Sequence, residues 1–295
     1  MNQYFFKSSH PLVSSSYYLL MLLIIMSTTN PIIISSCFLA SLSLRLFQLL
    51  NKKKKGLFHP LVLVFLLTVT NPLFVHRGGT ILFFFLNKPI TKEAFTYGFF
   101  MGLMIASVIY LFQAFQATVD SEQFFYLFGK RLPKVTMILT MIFRFIPLFK
   151  QYYQELNQVQ KTVQRTQQRN FKEKVAYGFD LFGNLFSWAL ENGMDTADSM
   201  KARGYGVTTR SSRLTYRWRK LDTIAIIFLI GCSGVFLLAL SKGDYHYNFY
   251  PYSESFFVFW RIQGLQYLLI IVVAFIPVLK RIKEEIVWAI LKLKM

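Results

Sequence analysis

Along this chain the apolar positions fall in long blocks separated by short polar or basic stretches. Six runs, at roughly 12–29, 31–50, 57–75, 94–118, 222–241 and 263–279, carry few charges. Each matches or approaches the stretch of about 20 apolar residues that a helix needs to cross the hydrocarbon core of a bilayer. The first two are parted only by Thr29, Asn30 and Pro31, which predicts a helical hairpin with Pro31 at the first position of the second helix. The run from Tyr17 to Met26 superficially resembles a signal peptide, yet no small-x-small site follows it, so it is expected to be a first membrane helix. This pattern predicts an all-α integral membrane protein with about six transmembrane helices.

Between residues 119 and 221 the pattern changes. The segment VTMILTMIFRFIPLF at 135–149 is too short to span comfortably and contains Arg144 and Pro147. It is expected to form an amphipathic or buried helix that ends at the proline. A Gln-rich stretch without Gly or Pro follows, KQYYQELNQVQKTVQRTQQRN, and reads as a polar helix that is solvated or lies on another protein. A second helix is expected from about Lys174 to Arg203, because Phe182, Leu185, Phe186, Ala189, Gly193, Ala197 and Met200 recur three or four apart. The small residues Ala189, Gly193 and Ala197 on that stripe would permit close approach of another helix. Gly204 suits the position just past a helix end, and Arg203 complements the helix dipole there. The chain is thus expected to divide into N-terminal membrane helices (1–118), a cytoplasmic region (119–221), and C-terminal membrane helices with a basic tail (222–295).

Composition agrees with this picture: 54% of the residues are hydrophobic and 18% aromatic. The net charge of +19 is confined to a few loops. Arg45 and Lys52–Lys55, the basic 119–221 region and the tail from Lys280 are expected in the cytoplasm, together with both termini. No nucleic-acid-binding module accompanies the charge, so nucleic acid is not an expected partner. Cys37 and Cys232 stand far apart with no CxxC or Cys/His spacing, and the four histidines are scattered singly. The chain contains no GxxxxGK[ST] loop and no HExxH motif, and Asp222 stands only at the edge of a predicted span. Energy for any active transport must then enter from a partner.

Three features resemble the transmembrane T component of energy-coupling factor (ECF) transporters, the EcfT/CbiQ family. They are Arg144-Phe145-Ile146-Pro147, the Gln-rich helix with Val159-Gln160-Lys161, and ALENGMDTADSMKARGYG from Ala189 to Gly206. The resemblance implies two long coupling helices that cross in the cytoplasm and seat in grooves of two ABC-type ATPase subunits. Each helix would end in three residues centred on an arginine. By that likeness Arg203, between Ala202 and Gly204, is the second coupling arginine. For the first, the family's spacing points near Val163-Gln164, where no arginine stands. Arg165, between Gln164 and Thr166, is the first choice and Arg169 the second. Further implied are ATP and magnesium bound by the ATPases, not by this chain, and a small membrane S component that selects a vitamin, a vitamin precursor or a metal ion. The implied location is a bacterial cell membrane. The competing reading is a membrane scaffold or assembly factor for a cytosolic partner, without energy transduction.

Overall fold

The computed structural model describes residues 10–51, 58–85, 88–119, 121–129, 132–163, 171–207, 216, 218–251 and 256–294. These residues are mostly helical. In chain order come α1 (Pro11–Ser27), α2 (Pro31–Asn51), α3 (Phe58–Phe74), β1 (Ile81–Phe85), β2 (Lys88–Thr91), α4 (Lys92–Thr118), α5 (Ser121–Gly129), α6 (Pro133–Val163), α7 (Phe171–Ala202), α8 (Lys220–Ser241) and α9 (Phe256–Lys294). Among them α4 and α8 are long and apolar enough to cross a membrane, and α1, α3 and the first part of α2 are shorter apolar helices.

The chain forms two compact units: one holds residues 1–124 and 216–295, the other 125–215. The first is built from both ends of the sequence. Its core takes Met21, Ile24 and Ile25 from α1, Ile33 and Cys37 from α2, Leu111 and Ala114 from α4, Phe236 from α8, and Val273 and Ala274 from α9. Buried polar groups join the elements. His10 caps α1 by accepting from the Leu12 N–H at 3.3 Å, and Pro11 follows at the first helical position. Asn30 accepts from the Ile32 N–H at 3.0 Å to start α2, and donates at 3.0 Å to the Tyr267 hydroxyl on α9. Tyr267 in turn donates to the Asp244 carbonyl at 3.3 Å. Tyr17 donates from α1 to the Ala274 carbonyl of α9 at 3.2 Å. Where hydrocarbon replaces water, each such partner spares the desolvation cost of a stranded polar group.

Asp222, at the start of α8, is 5% exposed and accepts from the Arg219 N–H at 3.1 Å and from the His10 N–H at 3.5 Å. The His10 ring meets Trp218 edge-on at 4.6 Å. This predicted edge carboxylate therefore ties the segment leading into α8 back to the start of α1.

α3 and α4 approach unusually closely, and the reason is a pair of glycines four apart. A Cβ on Gly102 would stand 2.9 Å from the Val64 Cα, and one on Gly98 would stand 2.8 Å from the Asn71 Cβ. Asn71 also donates to the Ala94 carbonyl at 2.6 Å. Small residues at this spacing let backbones touch, so dispersion replaces the hydrophobic drive that lipid cannot supply.

One element departs from the expected all-α class. β1 and β2 form an antiparallel hairpin, with an irregular register between Ile81 and Phe83. The run ILFFF is rich in residues that favour extended backbone.

Replacing Gly102 by Val should overpack the α3–α4 contact and destabilise unit 1 by about 1–3 kcal/mol. Gly231 on α8 meets nothing within 4 Å, so Gly231→Val should leave stability nearly unchanged. Thermal unfolding of both variants in detergent tests this, and equal effects would refute the proposed contact.

Candidate coupling site

The second unit contains α6 and α7, of 31 and 32 residues. At 1.5 Å per residue each is roughly 45–50 Å long. α6 corrects one expectation, because the helix does not end at Pro147 but runs through it to Val163. An interior proline removes one backbone bond and costs about 3 kcal/mol. Aromatic contacts on both sides of it oppose that cost. Phe143 packs against Phe125 at 5.3 Å, and Phe145 stacks with Phe149 at 6.0 Å. Phe149 and Tyr152 both pack on Trp188 of α7, at 5.5 Å and 4.4 Å. Each such pair adds about 0.5–1.5 kcal/mol beyond the area it buries.

The contact between α6 and α7 is also not the one the small residues suggested. Gly193 and Ala197 are exposed, and a Cβ on Gly193 would meet nothing within 4 Å. Among the described residues the two helices meet instead through Trp188, stacked on Tyr152 with only 12° between the rings, and through Tyr177, whose hydroxyl donates to Asn157 at 2.7 Å. Leu181, Leu185, Trp188, Asn192 and Thr196 form the covered stripe, with Ala189 half-buried at its side. The sequence signal was a single Trp in register with Leu181 and Leu185, and it was hidden by the neighbouring Phe182–Phe186–Ala189 series with the same period. The phenylalanines of that series belong to the exposed face, where Phe171, Phe179, Phe182, Phe186 and Leu190 are all largely uncovered.

The carboxyl end of α7 is closed by the backbone itself. The Tyr205 N–H donates to the Met200 carbonyl at 3.0 Å and the Gly204 N–H to the Lys201 carbonyl at 2.9 Å. Gly204 adopts φ +76, the left-handed conformation that this paired closure requires. Arg203 therefore sits just past Ala202, the last residue of α7, its own N–H donating to the Ser199 carbonyl at 3.1 Å. Ala202, Arg203 and Gly204 are all exposed. The nearest acid in sequence, Asp198, is paired with Lys201 at 3.3 Å. Among the described residues none makes a hydrogen bond or ion pair with the Arg203 guanidinium. Among the described residues its fork of donors, a geometry suited to a carboxylate, is thus left without a partner.

Arg144 is exposed on α6, one turn before Pro147. Gln160 lies in the last turns of α6. Arg165, its neighbours Gln164 and Thr166, and Arg169 lie outside the described residues, as does any contact they make. The structure thus places Arg144, Pro147 and Gln160 on one helix and Ala189, Gly193, Ala197 and Arg203 on the other. Among the described residues no three His, Cys, Asp or Glu side chains gather where they could hold a metal ion. The groove of about 440 Å³ between α2 and α4 is lined by Phe38, Leu39, Phe99 and Leu103, with Ser35 its one hydroxyl, and offers a polar solute little to bind.

A family model described as cobalt transport protein, CbiQ, matches residues 8–216, a stretch that runs from the start of α1 past the Arg203 turn. No curated protein matches the chain.

Gly204→Ala should strain the left-handed turn by about 1–2 kcal/mol and speed hydrogen exchange at the Gly204 and Tyr205 amides. Separately, Tyr152→Ala and Trp188→Ala should be coupled by about 0.5–1.5 kcal/mol in exchange protection across α6 and α7. Strict additivity would mean that the stack does not join the two helices.

Proposed function

From a chain that belongs to the CbiQ cobalt transport protein family, and so is a component of a transport system, we infer an energy-coupling T component of an ECF-type importer. The observation that carries this is the guanidinium of Arg203, unpartnered among the described residues, on a helix end fixed by its own backbone. Force from another subunit can act through such a point, because a terminated helix about 48 Å long moves as a body rather than fraying at the contact.

In this reading two ATPase subunits close on ATP and move the helix ends they grip. α6 and α7 are the coupling helices, with Arg203 in the groove of one ATPase and Arg165 in that of the other. The motion passes to a separate S component in the membrane. That subunit selects the vitamin, vitamin precursor or metal ion carried, and the family's description favours cobalt. The exposed phenylalanines of α7 suit a partner that changes its position, since dispersion contacts have no fixed polar register. The chain would lie in a bacterial cell membrane with its basic loops and both termini cytoplasmic, and about six helices would cross the bilayer.

Arg203→Glu should abolish ATP-driven uptake, or release one ATPase on purification, while membrane insertion and detergent stability stay unchanged. Unchanged uptake would remove Arg203 from the coupling role. A scaffold without energy transduction predicts a cytosolic partner that lacks nucleotide hydrolysis, so the ATPase activity of the purified complex separates the two readings.

A further inference from the structure

The β1–β2 hairpin has no counterpart in the coupling scheme, and its surface is unlike that of a soluble hairpin. Ile81, Leu82, Phe83 and Phe84 are 53%, 56%, 51% and 68% exposed. Successive residues of a strand point to opposite faces, so in the regular part of the ladder Phe83 and Phe84 expose aromatic rings on both sides. A flat protein partner would cover one face and leave the other in water. An apolar solvent covers both.

The hairpin is also rigidly mounted. The Thr80 N–H and hydroxyl both donate to the Glu93 carboxylate, the hydroxyl at 2.7 Å. Thr91 donates to the Arg77 carbonyl at 3.0 Å, Lys92 N–H to the Thr80 carbonyl at 3.0 Å, and Gly79 N–H to the Pro251 carbonyl at 2.8 Å. A Cβ on Gly78 would stand 2.6 Å from the Glu93 carboxylate, so glycine is needed for the base to close. Arg77 and Lys92 are exposed around that base, Lys88 is exposed at the turn end of the ladder, and Phe74, at the end of α3, is 82% exposed beside the base in sequence.

We propose that the β1–β2 hairpin is an interfacial anchor, with Ile81 to Phe84 immersed at the boundary between lipid headgroups and acyl chains where α3 ends and α4 begins. The proposal rests on the reading of α3 and α4 as membrane helices. Depth is set by the backbone: the outer edges of a two-stranded ribbon carry unpaired N–H and C=O groups, which hydrocarbon would penalise and headgroups or water can satisfy. An immersion of about 5–10 Å serves both requirements. Arg77 and Lys92 then lie at the level of phosphates, and the bonds at the hairpin base hold α4 at a fixed height.

Nitroxide labels at Phe83→Cys and, separately, Phe84→Cys test this in the full chain reconstituted in phosphatidylcholine and phosphatidylglycerol vesicles. Cys37 and Cys232 are buried and should take up little label. A third label at Phe65→Cys, on the exposed face of α3, reports on the membrane reading itself. Both hairpin labels should collide with oxygen several-fold more than with a water-soluble nickel chelate. Nickel-favoured collisions at both, with Phe65→Cys oxygen-favoured, would overturn the anchor and leave the membrane reading standing. One immobile label shielded from both reagents would also overturn it, because a protein then covers that face. Nickel-favoured collisions at all three would refute the membrane reading together with the anchor.

Discussion

The fold depends on a small set of polar contacts that join residues from opposite ends of the chain. Asn30 reaches Tyr267, Tyr17 reaches the Ala274 carbonyl, and Asp222 receives the His10 N–H. These pairs lie more than 200 residues apart in sequence, so they close unit 1 around the insertion of the 125–215 segment. The consequence is topological: the chain leaves unit 1 after residue 124 and re-enters it at 216, so the segment between is joined to it at both ends. In lipid such contacts gain more from avoided desolvation than from the bond itself, since leaving Asn30 or Tyr267 unpaired there would cost several kcal/mol. Apolar packing in a membrane does not discriminate strongly between one helix pairing and another. Directional groups and small residues do.

Unit 2 meets a different constraint. Its helices are long, carry an exposed apolar face, and touch through a few aromatic side chains. Trp188 is placed so that one side chain serves Phe149 and Tyr152 together, downstream of Pro147. That arrangement explains how a helix can pass through a proline that would end it in isolation. It also keeps the pairing of α6 and α7 local.

What could be read from the sequence follows from these physics. The apolar blocks predicted helices at the right places because length and hydropathy act locally, and Pro31 and Gly204 marked helix boundaries because φ is a property of one residue. Less legible was anything decided by a partner distant in sequence. Pro147 was expected to stop α6, since Trp188, which holds the helix beyond it, lies some forty positions away. The Gly98–Gly102 pair becomes meaningful only once Val64 and Asn71 are placed against it. Gly193 shows the converse: its spacing suggested a close approach, but period alone cannot choose between two overlapping stripes on the same helix. The hairpin was missed because five apolar residues in a row look the same whether they start a helix or line a strand. Arg165 and Arg169 lie outside the described residues, so Arg203 alone could be placed.

For Arg203 the question is whether the helix end needs it. The turn is closed by Gly204 and by two backbone bonds, neither of which involves the guanidinium. A cation near a helix carboxyl end contributes about 0.3–1 kcal/mol, and Lys201 in the last turn already supplies one. Lys201 is also the side chain that takes Asp198, the acid nearest to Arg203 in sequence. The local structure therefore obtains its stop from a glycine and its dipole partner from a lysine, and among the described residues gives the planar, five-donor side chain no partner. A side chain that the described residues use so little, held on so firm an end, is the premise of the coupling proposal.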